Sequence, residues 1–294
     1  MISHATANPS TSLIDIELSK LIETDRLDVP MLPEVARKVV QVAEDPESDS
    51  ATMSKLIQGD QTLAAQVMRI ANSAMYNPGG ASMVSLQQAI TRLGMKRMAE
   101  IALAASLHAE LFNVPGYEDH VVNILKRALA AGLWAKEIAR SARKNVEAAF
   151  LGGLMHDIGR PVALQCIVQV ARKHEIELSE DDIFSLEERY QRQIGTKVVE
   201  QWQLPEMVRE VVAFFDNPEA AENNQFQVLT VIAGALFADI QFNGEGKAVE
   251  IDEENSEKIL TNNTMAELNF YRTDIEELLE KADQVRESVE AMSL

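Results

Sequence analysis

The chain has 294 residues, 46% of them hydrophobic, so it can bury the core of one large domain or of two modest ones. Its formal net charge of −19 repels phosphate backbones and anionic lipid surfaces, and we therefore expect no direct binding to nucleic acid or to a membrane. A single cysteine, an N-terminus without the pattern of a signal peptide, and the lack of an apolar run of roughly 18 residues together favour a cytoplasmic location.

The first half of the chain is predicted to fold as helices over residues 12–113, after a small and polar segment at residues 1–11 that we expect to be disordered. Asp60 is a predicted N-cap, because apolar residues at helical spacing follow it directly. Ser85 begins a capping-box pattern, and Gly94 is placed to end the short helix that follows. These helices form the predicted N-terminal subdomain.

A Pro-Gly break at residues 113–117 separates this subdomain from a second one, predicted to span residues 114–294 and to end in acidic helices. Four further helices are predicted to begin at Asp119, Pro161, Ser179 and Thr273. A short helix is predicted over residues 195–202 and a strongly apolar helix over residues 225–242. No stretch of useful length alternates apolar and polar residues as a strand does. The predicted fold class is therefore all-α, with the N-terminal helical subdomain packed on the C-terminal one.

The stretch Gly152–Gly159 is the most informative chemically, because it contains the adjacent pair His156 and Asp157. Consecutive helical residues lie about 100° apart, so an imidazole and a carboxylate can both contact one metal ion that activates water against a phosphate ester. A catalytic metal normally needs three or more protein ligands. The other histidines are His4, His108, His120 and His174, and we expect none of them to complete such a set.

Several short motifs follow one another along the chain. They are Leu32-Pro33, Asp60 with Leu63, Ala71-Asn72-Ser73-Ala74-Met75-Tyr76, Ala89-Ile90, Leu93-Gly94, Leu133-Trp134, Gly153-Leu154-Met155-His156-Asp157-Ile158-Gly159, Gly195, and Trp202-Gln203-Leu204-Pro205. In order and spacing the chain resembles, from about residue 25 to about residue 240, the HDOD domain. This domain is a divergent relative of the HD-type metal phosphohydrolases and occurs in bacterial signalling proteins.

The resemblance also implies where metal ligands would stand, and this chain departs from the pattern at those positions. Catalytic members are expected to follow the order H…HD…D with further histidines between. The positions concerned hold Lys136, Gln191, Phe214, Phe215 and Leu236. Asp239 lies one helical turn from the last of them and stays open as a ligand. The resemblance therefore implies a vestigial site, with no catalytic residue and no cofactor, in which His156 and Asp157 form a structural pair.

Lys136 brings a positive charge to the place where a neutral imidazole would donate a lone pair. An ammonium group has no acceptor and repels a divalent ion. We expect Lys136 to form an ion pair with Asp157 and so to replace the charge of the missing metal. The alternative is a divalent metal still held by His156 and Asp157.

The function expected from the resemblance is a non-catalytic signal-transduction module that acts through protein partners. The acidic composition indicates that such partners carry basic surface and associate in a salt-sensitive way. Two alternatives stay open. One is a metal-dependent phosphohydrolase that uses His156 and Asp157 on nucleotides or cyclic dinucleotides. The other is a nucleotide sensor in which Lys136 faces a phosphate.

Overall fold

Helices build the architecture of this chain, and the predicted all-α fold class is confirmed. The computed structural model describes residues 9–73, 76–78 and 80–293, and within them the one extended pairing is an isolated bridge between Phe242 and Ala248. The helices are Pro9–Glu23 (α1), Glu34–Glu44 (α2), Ser50–Gln58 (α3), Gln61–Ala71 (α4), Leu86–Leu93 (α5), Met95–Ser106 (α6), Glu118–Ser141 (α7), Val146–Met155 (α8), Gly159–Lys173 (α9), Glu180–Gln201 (α10), Glu206–Phe214 (α11), Gln225–Gln241 (α12), Glu253–Leu260 (α13), Asn263–Glu267 (α14), Arg272–Leu279 (α15) and Ala282–Met292 (α16).

Several helix ends follow local capping chemistry, as the sequence predicted. The Asp60 carboxylate accepts a hydrogen bond from the Leu63 amide at 3.0 Å and starts α4. Ser179 begins α10 with a reciprocal capping box. Gly94 ends α5 with φ at 87°, a left-handed conformation that favours glycine. These caps satisfy amide and carbonyl groups that a helix end leaves without partners.

Other predicted boundaries are wrong. Helix α1 begins at Pro9, inside the segment predicted to be disordered, while residues 1–8 lie outside the described part. Helix α7 has Tyr117 as its N-cap, so Asp119 lies in the first turn. Helix α9 begins at Gly159 rather than at Pro161. In each case the helix begins two or three residues before the predicted position.

Two differences concern longer segments. Helix α10 runs without interruption through Gly195, so the short helix predicted over 195–202 is its C-terminal part. The missing Cβ of Gly195 lets α9 approach α10 closely, because an added Cβ would lie 3.3 Å from the Gly159 Cα atom. At the C-terminal end, the Tyr271 amide donates to Asp274 at 2.8 Å and Tyr271 is the N-cap of α15, so Thr273 is not the cap. Helix α16 then follows as the last helix.

Helix α7 is central and packs against α8 and α12. Glycines allow this close approach: a Cβ on Gly153 would lie 2.5 Å from the Gly132 Cα atom, and a Cβ on Gly234 would lie 2.5 Å from the Ala131 carbonyl oxygen. Helix α1 belongs to the part of the chain before the predicted boundary at residue 113, but it packs on α9 and α10, which follow that boundary. The division into residues 12–113 and 114–294 stays a prediction.

Candidate functional site

The turn between α8 and α9 holds the His156–Asp157 pair against α10. Helix α8 ends at Met155, and α9 begins at Gly159. Gly159 lies so near α10 that an added Cβ would be 1.8 Å from the Gln191 carbonyl oxygen. The backbone contact at this glycine therefore fixes the distance between the His-Asp turn and the side chains of α10.

His156 is buried, with 5% of its surface exposed, and its ring has protein partners. Nδ1 lies 2.6 Å from the Gly153 carbonyl oxygen, and because a carbonyl only accepts, Nδ1 carries the proton. Nε2 lies 3.4 Å from an Asp157 oxygen. The Phe215 ring stacks on the imidazole with centroids 4.9 Å apart. The ring is thus covered on one face by Phe215, one of the positions where the family resemblance implies a ligand.

Asp157 is surrounded by cationic side chains. Its Oδ2 lies 3.3 Å from Arg160 Nε, and its Oδ1 lies 3.6 Å from a terminal nitrogen of Arg192. Burial acts to raise the pKa of the Asp157 carboxyl, but His156, Arg160 and Arg192 outweigh it and hold that pKa below its ordinary value. The carboxylate is therefore ionised in the folded protein, and guanidinium groups of the chain balance its charge.

Further acidic side chains hold Arg160 in place. Arg160 donates to Glu187 at 2.9 Å and to Glu188 at 2.5 Å. Burial works against the charge of Arg160, but Asp157, Glu187 and Glu188 together raise the pKa of its guanidinium above the ordinary value. His120 also contacts Glu187, at 2.8 Å. This network ties α7, α9 and α10 together.

Arg192 reaches three groups around the turn. It donates to the His156 carbonyl oxygen at 2.5 Å and to Asp216 at 2.9 Å, and its guanidinium lies 4.3 Å from the Phe215 ring centroid. The last contact has the geometry of a cation–π interaction. Arg192 thus holds the turn, the end of α11 and α10 in one arrangement.

The expected ion pair between Lys136 and Asp157 is wrong. Lys136 is buried and donates from Nζ to Glu100 Oε2 at 2.6 Å, with the rings of Tyr76 and Phe150 at 5.4 and 5.2 Å. Helix α7 turns this side chain toward α6, away from the His-Asp turn. The same burial opposes the alternative in which Lys136 faces a nucleotide phosphate.

The remaining replaced positions supply no imidazole, thiolate or carboxylate donor. Gln191 is buried on α10, while Phe214 and Leu236 are half-buried on α11 and α12. The Asp239 carboxylate pairs at the surface with Arg127. Across the described ranges, no group of three or more histidine, cysteine, aspartate or glutamate side chains is arranged to hold a metal ion. The donor set at His156 and Asp157 therefore does not fit a catalytic metal, and two guanidinium groups lie where its charge would be needed.

Arg160 and Arg192 are functional candidates that sequence reasoning missed. A signal existed for the first of them, because Arg160 follows Asp157 by three residues and residues at that spacing face each other on a helix. Arg192 is adjacent to Gln191, a position already identified as a replaced ligand. Only the packing of α10 on the His-Asp turn brings it to Asp157.

No helix in the described part of the chain is both long and apolar enough to cross a membrane.

The sequence profile of the HDOD domain matches residues 29–218. A solved structure from Shewanella amazonensis SB2B, whose name proposes a metal-dependent phosphohydrolase, superposes with a TM-score of 0.72 at 22% identity, covering 96% of this chain and 99% of that one.

A solved structure from Marinobacter aquaeolei VT8, whose name proposes a signal transduction protein, has a TM-score of 0.59 at 21% identity, covering 97% of this chain and 67% of that one. Among curated sequences, an uncharacterized protein of Treponema pallidum (strain Nichols) is 21% identical over 241 residues, or 76% of this chain. The chain spans 45% of the length of that relative. At these identities the solved structures establish the shared fold.

Proposed function

This chain belongs to the HDOD domain family, and we propose that it is a non-catalytic regulatory module of bacterial signal transduction. The observation that carries the proposal is the ion-pair cluster in which Arg160 and Arg192 balance the charge of Asp157. In a metal phosphohydrolase that carboxylate would bind a divalent ion. Here the protein supplies the positive charge, and the site is degenerate.

Electrostatics and ligand number support the same conclusion. A divalent ion at Asp157 would face two fixed guanidinium groups at 3.3 and 3.6 Å from the carboxylate, and like charges in a partly buried site repel strongly. His156 could offer one further donor, which leaves the set short of the usual three. We infer that the pair now stabilises the fold.

The partners that suit this chain are proteins with basic surface. A net charge of −19 attracts cationic surfaces over a screening length of about 8–10 Å, and it repels nucleic acid and anionic lipid. The cytoplasmic location expected from the sequence is part of this proposal. A native partner recovered by cross-linking should lose affinity as salt is raised, and equal binding at low and high salt would contradict the electrostatic part.

The decisive experiment compares metal content and hydrolysis. The purified full chain is incubated with manganese, iron or zinc, its bound metal is measured by mass spectrometry, and hydrolysis of bis(p-nitrophenyl) phosphate is followed. We expect substoichiometric metal and no hydrolysis above that of a matched His156→Ala variant. Stoichiometric metal lost in that variant, together with hydrolysis of the ester, would establish the phosphohydrolase alternative. Saturable binding of a nucleotide without turnover would instead indicate a sensor.

A further inference from the structure

A cavity of about 160 Å³ lies between α2 and α6 on one side and α8 and α11 on the other. Much of its wall is apolar and includes Leu103, Ala148, Leu151 and Met207. Its polar lining residues are Lys96, Glu100, Asn145 and Glu147. Lys96 and Asn145 are exposed, so the cavity reaches solvent at its rim.

Glu100 lines this cavity and carries an unmet hydrogen-bond acceptor. The side chain is 5% exposed, and Lys136 holds its Oε2 at 2.6 Å. Its other oxygen, Oε1, is buried and has no hydrogen-bond partner among the described residues. A buried carboxylate oxygen without a donor is costly, because it has lost water and gained nothing in return. Burial accordingly raises the pKa of Glu100, although Lys136 acts to lower it.

The charge around the cavity favours a cation. Glu147 lines the same space and is half-buried, and its negative charge also raises the pKa of Glu100. In the part of the chain that the structure describes, Glu147 has no ion pair. Glu100 and Glu147 thus place two carboxylates at the cavity, and the Lys136 ammonium, which pairs with Glu100 and is not part of the lining, balances one of them. Lys96 is at the rim, where water screens its charge.

We propose that this cavity binds a small organic monoamine with a compact apolar body. The ammonium group donates to Glu100 Oε1 and balances the charge of Glu147, while the body packs on Leu103, Ala148 and Leu151. A cavity of about 150 Å³ accommodates a molecule the size of benzene, which sets the size class of the ligand. An anion would meet two carboxylates. A divalent metal would bring two positive charges, whereas Glu100, Glu147 and Lys136 together leave one negative charge to balance, which a monoamine matches.

The site is distinct from the His-Asp turn and does not rest on the proposed function. It is nonetheless connected to that turn, because α8 leads directly into His156 and α11 ends at Phe214.

The test uses the full chain with benzylamine as the probe, and with benzyl alcohol and benzoate as matched compounds of similar size. Binding is measured by calorimetry and located by crystallography of the soaked protein. We expect saturable binding of benzylamine in the cavity, with benzyl alcohol at least about tenfold weaker and benzoate without binding. Equal binding of benzylamine and benzyl alcohol, or water as the only occupant at saturating benzylamine, would overturn the proposal.

Variants separate the carboxylate from general effects of charge. Glu100→Gln and Glu147→Gln should each weaken benzylamine binding, the first by about tenfold or more. Glu137→Gln is the matched control, because Glu137 is also a buried carboxylate but pairs with Arg140 outside the cavity. Unchanged affinity in Glu147→Gln, or an equal loss in Glu137→Gln, would contradict the assignment even if Glu100→Gln failed to fold.

Discussion

Substitution of Lys136 by methionine should destabilise the folded protein substantially. Lys136 and Glu100 are both buried and lie 2.6 Å apart, so the substitution leaves an isolated carboxylate between α6 and α7. Breaking a buried ion pair by removing one partner costs about 3–5 kcal/mol. At about 2 °C per kcal/mol for a chain of this size, the melting temperature should fall by about 6–10 °C.

The loss should depend on pH in a defined direction. Burial already raises the pKa of Glu100 above its ordinary value of 4.5, and removing Lys136 raises it further. A carboxyl whose pKa is raised in the folded state opposes folding once the pH exceeds the pKa of that group in the unfolded chain, and the penalty grows until the pH passes the folded-state pKa. The penalty disappears at lower pH, where the group is protonated in both states. Urea unfolding followed by circular dichroism should therefore show a large difference from the natural protein at neutral pH and a smaller one as the pH approaches about 4.5.

A double-mutant cycle provides the control. Glu100→Met alone should also be destabilising, because it leaves the Lys136 ammonium buried without a partner. Replacing both residues with methionine removes both charges, and the double variant should recover most of the lost free energy of unfolding. Additive losses in the double variant, or a loss in Lys136→Met that is the same at acid and neutral pH, would refute the reasoning.

Three further changes probe the rest of the structure. Gly159→Ala places a Cβ 1.8 Å from the Gln191 carbonyl oxygen and should cost about 3 kcal/mol or more in urea unfolding, whereas Gly244→Ala, with no atom within 4 Å of an added Cβ, should be near neutral. Asp157→Asn should lower the free energy of unfolding at neutral pH, because the pKa of Asp157 is lowered in the folded state. The difference from the natural protein should vanish in acid, as the pH falls through that pKa. A loss that does not depend on pH would contradict the ion-pair cluster. Burial raises the pKa of Cys166 to about 12, so its thiol should react with a disulfide reagent only after unfolding, and fast reaction in the native state would be the contrary result.

The helical fold class and many helix ends were predictable because they depend on residues a few positions apart. Ser179 and Asp182 form a capping box through contacts three residues apart, and Gly94 ends its helix through its own backbone conformation. The family resemblance rests likewise on short motifs in a fixed order. Errors arose where packing continued a helix through a residue that would otherwise interrupt it, as at Gly195.

The sequence by itself determined that His156 and Asp157 are adjacent and that the other implied ligand positions hold no histidine or carboxylate, because the identity of a side chain is independent of the fold. Only the tertiary structure decided which charges meet. Lys136 pairs with Glu100 on α6, while Arg192 from α10 reaches Asp157. The physical reason is that a buried charge takes the partner that helix packing brings within about 4 Å, and packing is set by close contacts such as Gly159 against α10 rather than by distance along the chain.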